Sequence, residues 1–447
     1  MFERLRIALG HVPASTPAPD VDPLGVERGL IAGGQGALAR ASLEARLARL
    51  PHDADTHALL GCVLLEAGDA GAALVHLRRA IATQPHQVDA LNGLGLLFSD
   101  DHAAAVGWLR LAMAARPDNR ATRYNLAQQL FFTGEFAEGF ELFSVRHRLH
   151  HGRDNPLDPM PLWNGESLAG RHVFVWCDWG GFGDHLQFVS YLATLLERAR
   201  PARLTLGAQP PLQRLFAGLT AVDRVIGPGQ APEADVHCPL FDLPRHFGAP
   251  LIAASPWLRA PESSAQDWRQ RLKAAGAGNA KRLVGLAWTT GSAEPERAVK
   301  NVPPRALGPL GALTRNGVSL VSLNPGAPDA AAVSRRIPLI DLTADVCDFA
   351  DTAAIIDGLD AVLAIDTAVA HLAAAMGKPV WLLLRPAGSI FLTARDGHTP
   401  WYPSMRIIVP QQEGAWEEAV ARAVESLAAT LDAADTQDPS SLHSRDS

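Results

Sequence analysis

Two stretches of the chain carry polar residues in spacings that could do chemistry. The first is Asp366-Thr367-x3-His371, inside AVLAIDTAVAHLAAAMGKPVWLLL at 361–384. Residues 362–365 form an apolar run of strand length. Asp366 then offers a side-chain oxygen to the free amides of a helix starting at Thr367. That helix is rich in alanine and ends at Gly377, a residue that takes the left-handed cap conformation readily. Pro379 blocks continuation, and 380–384 reads as a second buried strand. The unit is a strand–helix–strand crossover, so the surrounding sheet is expected to be parallel. Free amides at a helix start, at the carboxyl end of a strand, favour an anion such as phosphate. His371 lies one turn deeper on the same face as Thr367. The plain alternative is that Asp366 is only a cap and His371 a packed helix histidine, and spacing does not separate the two.

The second stretch is CDWGGFGDHLQFVSYLATL at 177–195. Gly180, Gly181 and Gly183 make a sharp strand-to-helix turn that brings backbone close to a ligand. Asp184 opens the following helix, whose apolar face includes Leu186, Val189 and either Leu192 or Leu195. A dinucleotide fingerprint fails here because the third glycine is missing. Asp184 is a candidate general base, with capping as its plain alternative. His185 is a rival base beside it, because imidazole titrates nearer neutrality. A third stretch, TTGSAEPERAVKNVPP at 289–304, places Arg297 and Lys300 in a loop after an expected strand. Cations in such a loop, opposite a helix start, are well placed to hold phosphate. Glu294 and Glu296 interrupt the basic pattern, and a solvated surface lysine is the alternative.

The run DTAVAHLAAAMGKPV resembles the donor-site motif of the bacterial heptosyltransferase-like (family 9) glycosyltransferases, which have the two-lobed GT-B fold. It is closer still to related glycosyltransferases linked to tetratricopeptide repeats (TPRs), a group that includes O-GlcNAc-transferase-like bacterial enzymes. The loop GxGDxxQF, here Gly181, Gly183, Asp184, Gln187 and Phe188, is similar to the first-lobe loop of the same group. The resemblance implies that Asp366, Thr367 and His371 hold the diphosphate–sugar part of a nucleotide-sugar. It implies that Asp184 is the catalytic base. Lys300 is the nearest match to a basic residue that contacts the diphosphate, with Arg297 as alternative. Gly181 and Gly183 would lie on the donor side and Gln187 in the acceptor cleft. The backbone at 324–326 would meet the nucleobase.

The elements that must position these residues follow from the rest of the chain. Residues 1–29 read as a short helix and a proline-rich linker. From 30 to 153 the chain repeats: Pro51, Pro85 and Pro117 are separated by 34 and 32 residues. Gly61, Ala73, Leu77 and Ala80 stand where a tetratricopeptide repeat needs small and large residues, as do Gly95, Ala105, Leu109 and Ala112. Ala127, Gly139 and Phe143 mark a third unit. The two residues lost from the second unit are assigned to its inter-helix turn near 99–101. Residues 35–50 read as the second helix of an incomplete earlier unit. Such arrays make concave surfaces that bind peptides or proteins, or serve as spacers. Two lobes follow, at 160–262 and 280–410. Strands are expected at 172–176, 203–207, 222–226 and 235–238 in the first, and at 282–288, 319–323, 340–342, 362–365 and 380–384 in the second. Helices are expected at 210–219, 265–277, 305–315 and 351–358. The loop 385–405 has few element signals and a length that usually marks function; Trp401 and Tyr402 in it either pack on a ligand or seal the lobe, with sealing preferred. A last helix, within 413–432, is expected to cross back and brace the first lobe. Residues 433–447 are polar and expected to be disordered.

Composition narrows the function classes. The chain has 447 residues, 47% hydrophobic residues and a net charge of −7. That charge argues against a nucleic-acid partner, which needs a basic face. Cysteines 62, 177, 238 and 347 lack metal or redox spacing. No apolar run reaches the roughly 18 residues of a membrane span, and a cytoplasmic location is expected. The combined expectation is an α/β GT-B protein, bacterial in kind, preceded by an all-α repeat domain. It would move a sugar from a nucleotide-sugar to an acceptor hydroxyl, with inversion and with no metal or other cofactor. The repeats would recruit a protein acceptor or partner, with flagellin-type glycosylation as one precedent. A non-catalytic adaptor that keeps the sugar-nucleotide fold, or an epimerase or hydrolase on that fold, is the alternative.

Overall fold

The computed structural model describes residues 22–152, 154–230, 232–251, 256–290, 299–392 and 396–437. The segment 1–21, the loop containing Glu294, Glu296 and Arg297, and the tail from 438 lie outside the described residues. The chain divides into two compact units, Met1–Pro161 and Leu162–Ser447.

The first unit is all-α. Ala54–Glu66 pairs with Ala70–Thr83, Val88–Leu97 with His102–Ala115, and Arg120–Thr133 with Phe136–Phe143. This is the repeat architecture expected from the proline period. Side chains of Asp53, Asp69, Gln87, Asp101 and Asn119 each accept an amide of the first turn that follows, which fixes where those helices start. The small positions do what their spacing implies. A Cβ on Gly61 would stand 2.7 Å from Leu77, and one on Gly95 2.5 Å from Leu109. Both leucines are fully buried, each contributing about 1.5–3 kcal/mol by leaving water. Two expectations need correction. The two-residue deletion shortens the helix Val88–Leu97, which has 10 residues against 13 and 14 in its counterparts, and not the turn after it. The helix Gly36–Arg49 also has a first partner, Gly25–Ala32, so the earlier unit is a pair and helix begins before residue 30.

The second unit is built on two parallel sheets, the GT-B layout. The first lobe has β1 (His172–Trp176), β2 (Arg203–Gly207), β3 (Arg224–Ile226) and β4 (Val236–Pro239), in the order β3-β2-β1-β4. The second has β5 (Arg282–Ala287), β6 (Val318–Ser322), β7 (Leu339–Ile340), β8 (Ala361–Ile365), β9 (Val380–Leu383) and β10 (Met405–Ile408). Their order is β10-β9-β8-β5-β6-β7, and every pairing is parallel. In each sheet the strand order reverses beside the lobe's first strand, between β1 and β4 and between β5 and β8. Ligands of open parallel sheets bind in the crevice at such switch points, outside the carboxyl ends of the strands.

Three further differences concern the second lobe. Pro309, which has no amide to donate, breaks the helix expected at 305–315 into a 3₁₀ segment, Pro304–Leu310, and a short helix, Gly311–Arg315. Strand β10 was absent from the expectation, because its four residues follow a long loop without a turn signal. The last helix, Trp416–Gln437, does not cross to brace the first lobe. Its apolar face, Trp416, Ala419, Val420, Ala423, Val424 and Leu427, sits in the core of the second lobe with Val284, Leu310 and Trp381. It also runs on through residues 433–437, expected to be disordered.

Candidate active site

The site forms where two helices, one from each lobe, begin. Phe182–Phe188 follows β1, and Ala368–Ala375 follows β8. Gly183 makes their close approach possible. A Cβ there would stand 2.8 Å from Cδ2 of His371, so any larger residue would push the ring or the lobes apart.

Asp366 is not the helix cap expected of it. Thr367 takes the cap position, and its hydroxyl donates to the Ile365 carbonyl instead of closing the first turn. Asp366 faces Lys300 and His371. Its Oδ2 accepts from Lys300 Nζ at 2.6 Å, and its Oδ1 lies 3.7 Å from His371 Nε2. Lys300 and Asp366 are 66 residues apart in sequence; Asp366 directly follows β8, and Lys300 lies in the loop after the neighbouring strand β5. The Asp366 side chain is only 10% exposed. Burial alone would raise its pKa, but His371 and Lys300 outweigh that and hold it well below the usual carboxylate range. The amides of Ala368 and Val369 have no hydrogen-bond partner among the described residues and border a cavity of about 330 Å³. Thr367, Asn324, Thr352 and Phe349 line it from the second lobe, Phe182 and Pro211 from the first.

On the first-lobe side, Asp184 Oδ2 accepts from the Gly181 amide at 2.8 Å. Burial raises the Asp184 pKa, and the nearby Asp366 charge adds to this while His371, the Gly181 amide and His185 oppose it. The result is a carboxylate more basic than usual, within the electrostatic reach of His371 and Asp366. His185 is placed differently. It is buried, its Nε2 donates to the Trp179 carbonyl at 2.9 Å, and its ring meets the edge of Phe241. Burial lowers its pKa against the pull of that carbonyl and of Asp184 and Asp178. Gln187 is 1% exposed, so it presents no open surface to a cleft. Gly181 spends its amide on Asp184, and Gly183 packs against His371. Arg297 lies outside the described residues. The structure therefore brings together Asp184, Lys300, Asp366, Thr367 and His371, and sets His185 and Gln187 aside.

Several contacts around the site join residues far apart in sequence. Tyr402, in the long loop after β9, is fully buried, and its hydroxyl lies 2.9 Å from His371 Nδ1. Trp401 is buried beside Phe188 and Phe391, so this pair seals the lobe as preferred. Asn324 accepts the Trp288 and Thr289 amides and donates to the Thr289 carbonyl, joining the loops after β5 and β6 beside the cavity. Arg214 of the first lobe reaches Asp348 and Asp351 at the start of the helix Phe349–Asp357, and Phe182 meets Phe349 edge-on at 5.3 Å. These contacts close one side of the cavity. Each depends on residues distant in sequence, which no local pattern announces. Among the described residues, no three His, Cys, Asp or Glu side chains are grouped so as to hold a metal ion, and no helix is long and apolar enough to cross a membrane.

Residues 315–428, most of the second lobe, match the family model of glycosyltransferase family 9 (heptosyltransferase). The match takes in Asp366, Thr367, His371 and Tyr402 and marks this lobe as a glycosyltransferase domain. Over 421 residues the chain is 26% identical to Protein FlbA of Caulobacter vibrioides, covering 86% of this chain and 69% of FlbA. Among solved structures it resembles a family 9 glycosyl transferase from Veillonella parvula, with 14% identity, TM-score 0.49, and 60% and 99% of the two chains covered. It also resembles the ADP-heptose lipopolysaccharide heptosyltransferase II of E. coli, with 16% identity, TM-score 0.44 and coverage of 59% and 99%.

Proposed function

We propose that this protein transfers a sugar from a nucleotide-sugar to an acceptor hydroxyl across the cleft of its second unit. The observation that carries the reading is the meeting of Lys300, Asp366 and His371 at a helix start whose first amides are free, with Asp184 facing them from the other lobe. The donor's nucleotide occupies the cavity beside Thr367, and its diphosphate lies at the helix start against Lys300. Asp184 accepts the acceptor's proton as the hydroxyl attacks the anomeric carbon. The bond to the diphosphate breaks, and the electron pair leaves with the phosphate. Lys300 and the Ala368 and Val369 amides stabilise that developing charge, so protein groups supply what a metal would otherwise provide. A base on the face opposite the leaving group gives inversion at the anomeric carbon. His185 is engaged with a backbone carbonyl inside its lobe, which favours Asp184 as the base.

The repeat array of the first unit has the form of a peptide-binding scaffold, and we infer that it recruits a protein acceptor or a protein partner, with protein glycosylation of the flagellin type as one such case. The test is a thermal-shift panel of UDP-, GDP-, ADP- and CMP-sugars on wild type and Asp366→Ala, followed by product analysis with and without acceptor. One donor should stabilise wild type and fail on the variant. A donor that binds both equally would sink the site assignment. Binding without any turnover would favour an adaptor, and free sugar or an epimer formed without acceptor would favour a hydrolase or epimerase.

A further inference from the structure

His371 has two ring nitrogens, and the chemistry it offers at the cleft depends on which one carries hydrogen. Its Nδ1 lies 2.9 Å from the Tyr402 hydroxyl. Its Nε2 faces Asp366 at 3.7 Å, toward the helix start. Tyr402 is fully buried and stacks on Trp257 with ring centroids 5.4 Å apart and planes 19° from parallel. Trp257 is itself fixed, since its indole donates to the Leu186 carbonyl and its amide to the Ala375 carbonyl. The phenol is thus held in place by elements of both lobes.

The direction of the Tyr402–His371 bond follows from hydrogen accounting. The Tyr402 hydroxyl has no side-chain or backbone partner other than His371 among the described residues. If Nδ1 carried the hydrogen and donated, the phenol's own O–H would be left buried and unmatched, which is costly. If the phenol donates, both groups are satisfied and the ring hydrogen must sit on Nε2. Burial, with Asp184 and Asp366 nearby, pushes the phenol pKa up, so the O–H remains available as a donor throughout the working range.

We propose that Tyr402 is a positioning residue that locks His371 in the Nε2–H tautomer and aims that N–H at the diphosphate end of the donor. This rests on the functional reading given above and adds to it the residue that sets the histidine's state. Tyr402 does not touch substrate. It acts through the imidazole, and its ring, stacked on Trp257, fixes where the hydroxyl stands.

The test uses the full chain with ¹⁵N-labelled histidine and no donor. The chain has 16 histidines, so His371→Gln identifies the resonance. Wild type should show His371 as an Nε2–H, Nδ1-acceptor ring. Tyr402→Phe keeps the ring and its stack but loses the donor, and should show both tautomers. In turnover it should lower kcat by about five- to ten-fold with donor KM little changed, the expected mark of a lost interaction worth one hydrogen bond in the transition state. In a His371→Gln background the same substitution should cost nothing further. An unchanged tautomer in Tyr402→Phe, or losses that simply add in the double variant, would overturn the assignment. A tautomer that changes while no nucleotide-sugar binds wild type would support the lock and remove the donor-site reading.

Discussion

Gly183 of the first lobe and His371 of the second are packed so closely that a single added methyl at 183 would stand 2.8 Å from the imidazole. The two residues tie the helix that carries Asp184 to the helix that carries His371. Gly183→Ala is therefore expected to displace either the ring or the lobe. The cost should be about 1–3 kcal/mol of stability, as for other overpacked contacts, with most of the turnover lost. Denaturant unfolding and initial rates check this. A variant with wild-type stability and rate would show that the contact can relax freely.

The two carboxylates of the site should respond oppositely to amidation. Asp366 has a depressed pKa when folded, so it contributes stability above about pH 4 and loses it as the pH falls through its folded value. Asp366→Asn should cost about 1–3 kcal/mol at pH 7 through the lost charged hydrogen bond, and its deficit should shrink in acid. Asp184 has a raised pKa when folded, so its ionised form is a burden that builds up as the pH rises past about 4. Asp184→Asn should melt above wild type at pH 7, converge with it in acid, and lose turnover. Thermal melts across pH 3–8 and a rate assay read both signs.

Arg214 bridges the lobes through Asp348 and Asp351, at one side of the cavity. The guanidinium is about half exposed, so the bridge is worth no more than about 1 kcal/mol and is screened by salt. Arg214→Ala should release bound nucleotide about two- to five-fold faster. Raised ionic strength should speed release more steeply from wild type than from the variant. Stopped-flow release of a fluorescent nucleotide measures this, and an equal salt response in both proteins would contradict it.

Leu77 is fully buried and fills the space left by Gly61 and Gly93. Leu77→Ala should destabilise the first unit by about 2–5 kcal/mol. Because Met1–Pro161 is a compact unit of its own, nucleotide binding by the second unit should survive. Loss of both together would mean that the units fold as one.

The legible parts of this chain were those with local rules. The proline period and its small residues announced the repeats because helix pairs need close approach at fixed positions. Asp366, Thr367 and His371 were visible because a helix start after a buried strand is written in consecutive residues. A carboxylate before a helix looks like a cap, and only the fold shows that Lys300, brought in by the loop after the neighbouring strand, claims it. His185 and Gln187 looked available because helical phase alone does not say which face turns inward. The contacts of Tyr402 with His371 and of Arg214 with Asp348 had no local signal, since the partners lie 31 and 134 residues apart.

The adjacency of β5 and β8 has an evolutionary corollary. The ends of β5 and β8, where the loop carrying Lys300 and the corner at Asp366 begin, are held at the spacing of two hydrogen-bonded ribbons, about 4.8 Å. The length of chain between them does not enter. Descendants of this protein can therefore gain or lose residues between Lys300 and β8 without moving those two ends apart, whereas a change in the length of the loop between β5 and Lys300 would shift the ammonium from Asp366.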